Sequence, residues 1–138
     1  MGLPIIYSCS GCSSAAQAAN WVALRLDRRG AAEMSCIAGV GAEVEPLLSK
    51  ARLAEKIVVI DGCPLACARA CLARAGRLPD VHLELSRLGV AKRFHDDFTP
   101  AEGRCALQAV VSRMHEAGLW AEGLADQELE AGTRRRTP

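Results

Sequence analysis

The chain has 138 residues, half of them hydrophobic, which suits one globular domain with a real core and argues against disorder. Lys and Arg number 17 against 16 Asp and Glu, with only two Trp, two Phe and one Tyr, so neither the basic excess nor the stacking platforms of a nucleic-acid binder are present. No apolar run approaches the roughly 20 residues of a membrane span, and Met1-Gly2-Leu3-Pro4 lacks the features of a secretion signal, so a cytoplasmic protein without nucleic-acid or membrane partners is expected.

Residues 3–7 (LPIIY) are continuously apolar and read as a buried strand. They run into Cys9-Ser10-Gly11-Cys12, a C-x2-C in a loop. Ser14 followed by Gln17 suggests a capping box for a helix carrying Ala18, Val22 and Leu26 with Trp21 beside them, stopped at Gly30. Residues 31–37 alternate weakly and suit a half-covered edge strand, followed by a loop at Gly39 and Gly41. Val44, Leu47, Leu48 and Ala51 then form one helical face, with Pro46 tolerated in the first turn.

Ile57-Val58-Val59-Ile60 is a run of β-branched residues typical of a strand buried on both faces. Asp61 and Gly62 turn the chain, and Pro64 sits where a first helical residue would be, with Gly76 closing the helix. Cys63, Cys67 and Cys71 would then lie on one stripe from the helix N-terminus, where free N–H groups favour the metal-binding thiolate. Val81, Leu83 and Leu85 alternate with His82 and Glu84 as a second edge strand, placing His82 outward in solvent. A polar loop at 89–97 contains Lys92, Arg93 and His95-Asp96-Asp97, all read as surface groups. Thr99 and Glu102, with Pro100 at the first helical position, form a capping box. The helix they open runs to about Glu116, with Leu107, Val110, Val111 and Met114 on the core side. Cys105 within it is expected in the core, and His115 near its end suits a dipole contact. Residues 121–138, ending in three arginines, read as a flexible tail after a single domain over 1–120.

This alternation implies an α/β fold: an open parallel four-stranded sheet of order 2-1-3-4 with helices on both faces. The apolar strands would be central and the alternating ones edges. Ligands bind such sheets at the carboxyl ends of strands where the connections diverge. Cys9 follows the first strand, Cys36 closes the second and Cys63 follows the third, so the topology gathers them at one rim. Strands about 4.8 Å apart and zinc–sulfur bonds of about 2.3 Å allow sulfurs from neighbouring strand ends to share an ion. Seven cysteines in a chain without an export signal point to metal binding or thiol chemistry ahead of disulfides.

The segments Cys9-Ser10-Gly11-Cys12-Ser13, Met34-Ser35-Cys36-Ile37-Ala38-Gly39-Val40-Gly41 and Asp61-Gly62-Cys63-Pro64-Leu65-Ala66-Cys67-Ala68 resemble the DGC-domain family, to which zinc binding is ascribed. The resemblance covers roughly residues 3 to 100. It implies a zinc site of four cysteines, by position Cys9, Cys36, Cys63 and Cys67, and leaves the biological role undefined. Cys12 and Cys71 are extra thiols. On one helix, Cys71 would lie about 12 Å along the axis from Cys63. That is too far to share one zinc, which leaves a second metal, a cluster edge or a redox pair with Cys12. The loop at 9–12 also resembles the loop holding a proximal [4Fe–4S] cluster in the small subunit of nickel–iron hydrogenases.

The leading expectation is therefore a soluble zinc-binding protein. Four thiolates close the zinc shell and suit a structural or storage role over catalysis, and no catalytic residue is assigned. Two alternatives remain open: an iron–sulfur protein in electron transfer or sensing, and a thiol-redox or metal-transfer protein. Asp61, beside a helix start, is read as a cap or an acceptor behind the metal ligands.

Overall fold

Four strands, β1 (Ile5–Ser8), β2 (Glu33–Met34), β3 (Ile57–Asp61) and β4 (Val81–Glu84), pair in parallel in the order 2-1-3-4. Five helices accompany them: α1 (Ser14–Arg28), α2 (Ile37–Gly41), α3 (Glu45–Leu53), α4 (Cys67–Arg74) and α5 (Pro100–Glu116). This is the α/β architecture expected, seen in a computed structural model that describes residues 2–120. The predicted tail, 121–138, lies outside the described residues.

Every residue of β1 and β3 is buried, as their unbroken apolar runs require of strands covered on both faces. β4 alternates buried and half-buried residues, as an edge strand does. Helix α1 packs beside α5, and α4 packs beside α2. Their buried stripes, including Ala18, Val22 and Leu26 of α1 and Leu107, Val110, Val111 and Met114 of α5, close one continuous core with the sheet. Full burial of each large aliphatic side chain contributes about 1.5–3 kcal/mol.

Local chemistry shifts several boundaries. The second strand is only two residues long, and the expected glycine loop is helix α2. Cys36 is its N-cap, accepting a bond from Gly39 N at 3.4 Å. Gly39 packs closely on α3: a Cβ there would sit 1.9 Å from Leu47 Cδ1, so that any side chain would require Leu47 to move. Helix α1 is capped by Ser13, whose hydroxyl accepts from Ala16 N at 3.1 Å, one residue before the cap expected at Ser14. The strand ending at Glu84 gives way to a 3-10 turn over Leu85–Leu88, which keeps Leu85 in the core. The capping box of Thr99 and Glu102 forms as expected.

The largest displacement concerns α4, which starts at Cys67 and not at Pro64. Residues Cys63 to Ala66 form a turn closed by Ala66 N donating to Cys63 O at 3.1 Å, with Ala66 in the left-handed region at φ 49°. The predicted three-thiol stripe therefore reduces to Cys67 and Cys71, and Cys63 stands off the helix. No helix among the described residues is long and apolar enough to cross a membrane.

Candidate thiol site

The parallel ladder positions the first thiol. Cys9 N donates to Ile60 O at 3.0 Å, extending the β1–β3 pairing by one residue. That fixes Cys9 beside the turn after β3, and its sulfur accepts from Gly62 N at 3.2 Å. Gly62 is needed for steric reasons: a Cβ would lie 2.7–2.9 Å from backbone atoms of Ala15 and Ala16 in the first turn of α1. The missing side chain lets α1, β1 and the β3 turn meet, and brings the Cys9–Cys12 loop against the Cys63–Cys67 turn. Between them lies a pocket of about 220 Å³ whose lining includes Cys9, Cys12, Cys63, Cys67, Asp61 and Lys92.

Asp61 secures the second half of the pocket. The carboxylate is only 1% exposed, and a buried carboxylate has to be saturated with donors. Its oxygens accept from Ala68 N at 2.9 Å and Arg69 N at 3.2 Å, so the strand residue caps α4 from below. His82 Nε2 lies 2.8 Å from Asp61 Oδ2; an ionised carboxylate only accepts, which puts a proton on that nitrogen. The cap expected of Asp61 is thus present, whereas His82, expected in solvent, is half-buried and committed to Asp61.

The loop after Gly89 forms the third wall. Buried Ser14, released from capping duty, donates its hydroxyl to Ala91 O and accepts from Arg93 N, both at 2.8 Å, while its own N–H donates to Arg93 O at 2.9 Å. The Arg93 guanidinium donates to both Glu102 oxygens at 2.8 and 3.1 Å, to Asp96 Oδ2 at 2.8 Å and to Asp97 O at 3.0 Å. Arg93 was expected to be solvated; it is the clamp of this loop. Its hydrogen bonds hold the Glu102 carboxyl down at about 2. The clamped backbone presents Lys92, whose Nζ donates to Cys63 Sγ at 3.4 Å and stands 5.2 Å from the Phe94 ring centroid.

The four lining thiols differ in environment. Cys9 is buried, Cys63 half-buried, and Cys12 and Cys67 exposed. Burial pushes the Cys9 thiol up to about 11, reinforced by Asp61, Cys63 and Cys67 and opposed by the Gly62 N–H. Cys9 is therefore protonated at neutral pH unless a cation displaces its proton.

The other cysteines stand elsewhere. Cys36 and Cys71 are not among the pocket-lining residues. Cys36 caps α2, and Cys71 packs on the same short helix, its sulfur 3.1 Å from where a Gly41 Cβ would be. Cys105, expected in the core, is exposed on α5 and donates to Leu88 O at 3.3 Å. His95 is exposed, and His115 stacks on Trp120 with centroids 4.8 Å apart.

As placed, no three Cys, His, Asp or Glu side chains among the described residues form a group that could hold a metal ion. The donor set nevertheless suits a soft cation: four thiols share the lining of one pocket, and two of their sulfurs already accept N–H bonds of the kind that stabilise bound thiolates.

Sequence reasoning passed over Gly62, His82 and Lys92 as site components. Only Gly62 carried a local signal, the turn after a buried strand; the roles of His82 and Lys92 depend on partners 21 and 29 residues away.

Comparison with known proteins agrees with the motifs that carry this pocket. The chain is 55% identical over 95 residues to the anaerobic and virulence modulator AnvM of Pseudomonas aeruginosa, covering 69% of this chain and 72% of that protein. No solved structure matches. The DGC domain matches residues 5–110, which span the whole sheet and all four pocket cysteines. The chain belongs to the DGC-domain family.

Proposed function

We propose that the strand-end pocket is a thiolate centre for zinc, with Cys9, Cys12, Cys63 and Cys67 as its ligands. The observation that carries this reading is that four thiols from two chain segments about fifty residues apart line one small pocket. Cys9, Cys63 and Cys67 follow the family resemblance; Cys12 takes the fourth place because it lines this pocket, which Cys36 does not. Four thiolates would give zinc a closed shell with no position for substrate. The site then serves structure, storage or sensing, with Asp61 and His82 supporting the turn from behind.

A second reading, a [4Fe–4S] cluster on the same thiols, is favoured by one observation. A pocket of about 220 Å³ with unconverged sulfurs has more room than one ion needs. The name of the Pseudomonas aeruginosa relative, an anaerobic modulator, agrees with a centre that responds to oxygen. Purification without oxygen, followed by metal and sulfide analysis, separates the readings. Colourless protein with about one zinc per chain supports the first; brown protein absorbing near 400 nm with stoichiometric iron and sulfide replaces it with the second. Metal-free protein whose cysteines alkylate rapidly refutes both, in favour of thiol redox chemistry.

A further inference from the structure

We infer that Lys92 is the built-in counter-charge of the thiolate centre and sets its affinity for the metal. This rests on the zinc reading above. Lys92 is the only cationic side chain among the residues lining the pocket. The one carboxylate there, Asp61, is already occupied by two backbone N–H groups and His82. Lys92 has instead a sulfur as its hydrogen-bond partner, 3.4 Å away. Four thiolates on one Zn²⁺ leave a net charge of −2, and an ammonium against one of those sulfurs offsets part of it.

The placement of that charge is imposed from outside the pocket. Fixing the backbone of one residue costs roughly 1–2 kcal/mol, so a lysine on an unanchored loop would be a weaker counter-ion. Here both neighbours are fixed. Ala91 and Arg93 are bound to buried Ser14 through three hydrogen bonds, and the Arg93 guanidinium is locked onto Glu102 and Asp96. The Phe94 ring gives the ammonium a second contact. The polar loop after Gly89 thus acts as an arm whose clamp residues lie outside the pocket lining, while Lys92 and Phe94 line it and Lys92 donates to a thiol.

The test compares wild-type protein with Lys92→Ala and Lys92→Arg, each stripped of metal, reduced and kept free of oxygen. Zinc affinity is read by competition with a chromophoric chelator at neutral pH, across a range of sodium perchlorate, whose anion does not ligate zinc. A charge-assisted hydrogen bond at an exposed position corresponds to roughly tenfold in affinity. Lys92→Ala should therefore bind zinc about tenfold more weakly, and Lys92→Arg should recover most of the loss. Screening adds a signature that a merely structural role would not give: the gap between wild type and Lys92→Ala should close as salt rises. Equal affinities for wild type and Lys92→Ala, or a gap unchanged by salt, overturn the inference while leaving the zinc centre standing. Wild-type protein that takes up no zinc overturns the centre itself, and the role of Lys92 with it.

Discussion

Two corners of the molecule carry cysteines in similar local settings, and they have been built for different ends. At the β1–β3 rim, Cys9, Cys12, Cys63 and Cys67 line one pocket beside a buried carboxylate and a lysine. At the α2–α4 corner, Cys36 caps a short helix and Cys71 fills the space left by Gly41. A cysteine at a helix start is thus a pocket thiol in one place and a capping group in the other. What separates them is the company each sulfur keeps: other sulfurs and a cation at the rim, backbone and packing at the corner.

The rim depends on Asp61, so the largest stability effect should come from removing it. Asp61→Ala strands the N–H groups of Ala68 and Arg69 and orphans His82, and should cost about 3 kcal/mol in denaturant unfolding. Gly62→Ala comes next, at about 2 kcal/mol, because the new Cβ meets the backbone of Ala15 and Ala16; an unchanged unfolding midpoint would show that the rim is looser than its contacts imply. At the other corner Cys36→Ser should leave stability within about 0.5 kcal/mol of wild type, since serine is a preferred N-cap. A large loss there would give Cys36 a role beyond capping.

The arm over the rim has its own pH signature. Arg93 holds the Glu102 carboxyl at about 2, below its ordinary 4.5. A depressed carboxyl stabilises the fold in its ionised form, so its contribution is complete above about pH 4.5 and is lost as pH falls toward 2. Unfolding measured between pH 6 and 2 should show a decline that flattens in Glu102→Gln. The effect is expected to be small, because the pair is partly exposed.

Much of the fold was legible because local and long-range demands coincided. Ile57 to Ile60 can only be a strand buried on both faces, and once that strand and residues 3–7 are central the order 2-1-3-4 follows. Thr99 and Glu102 cap a helix through contacts three residues apart, which sequence spacing displays directly. The failures share an opposite cause. Pro64 favours a helix start locally, yet the carboxylate of Asp61 reaches Ala68 and Arg69 and moves that start to Cys67. Cys105 is apolar by type and lies on a helix with a buried face, but its register puts it on the other side. The gathering of thiols at one rim was legible from topology; which of them line one pocket depended on turns set by distant packing.

The most direct measurement of the central claim is zinc content in two double variants prepared side by side without oxygen. Cys36→Ser with Cys71→Ser should retain about one zinc per chain, whereas Cys12→Ser with Cys67→Ser should retain none. The reverse pattern, with metal lost from the first variant and kept by the second, would contradict the assignment of the centre to the β1–β3 rim.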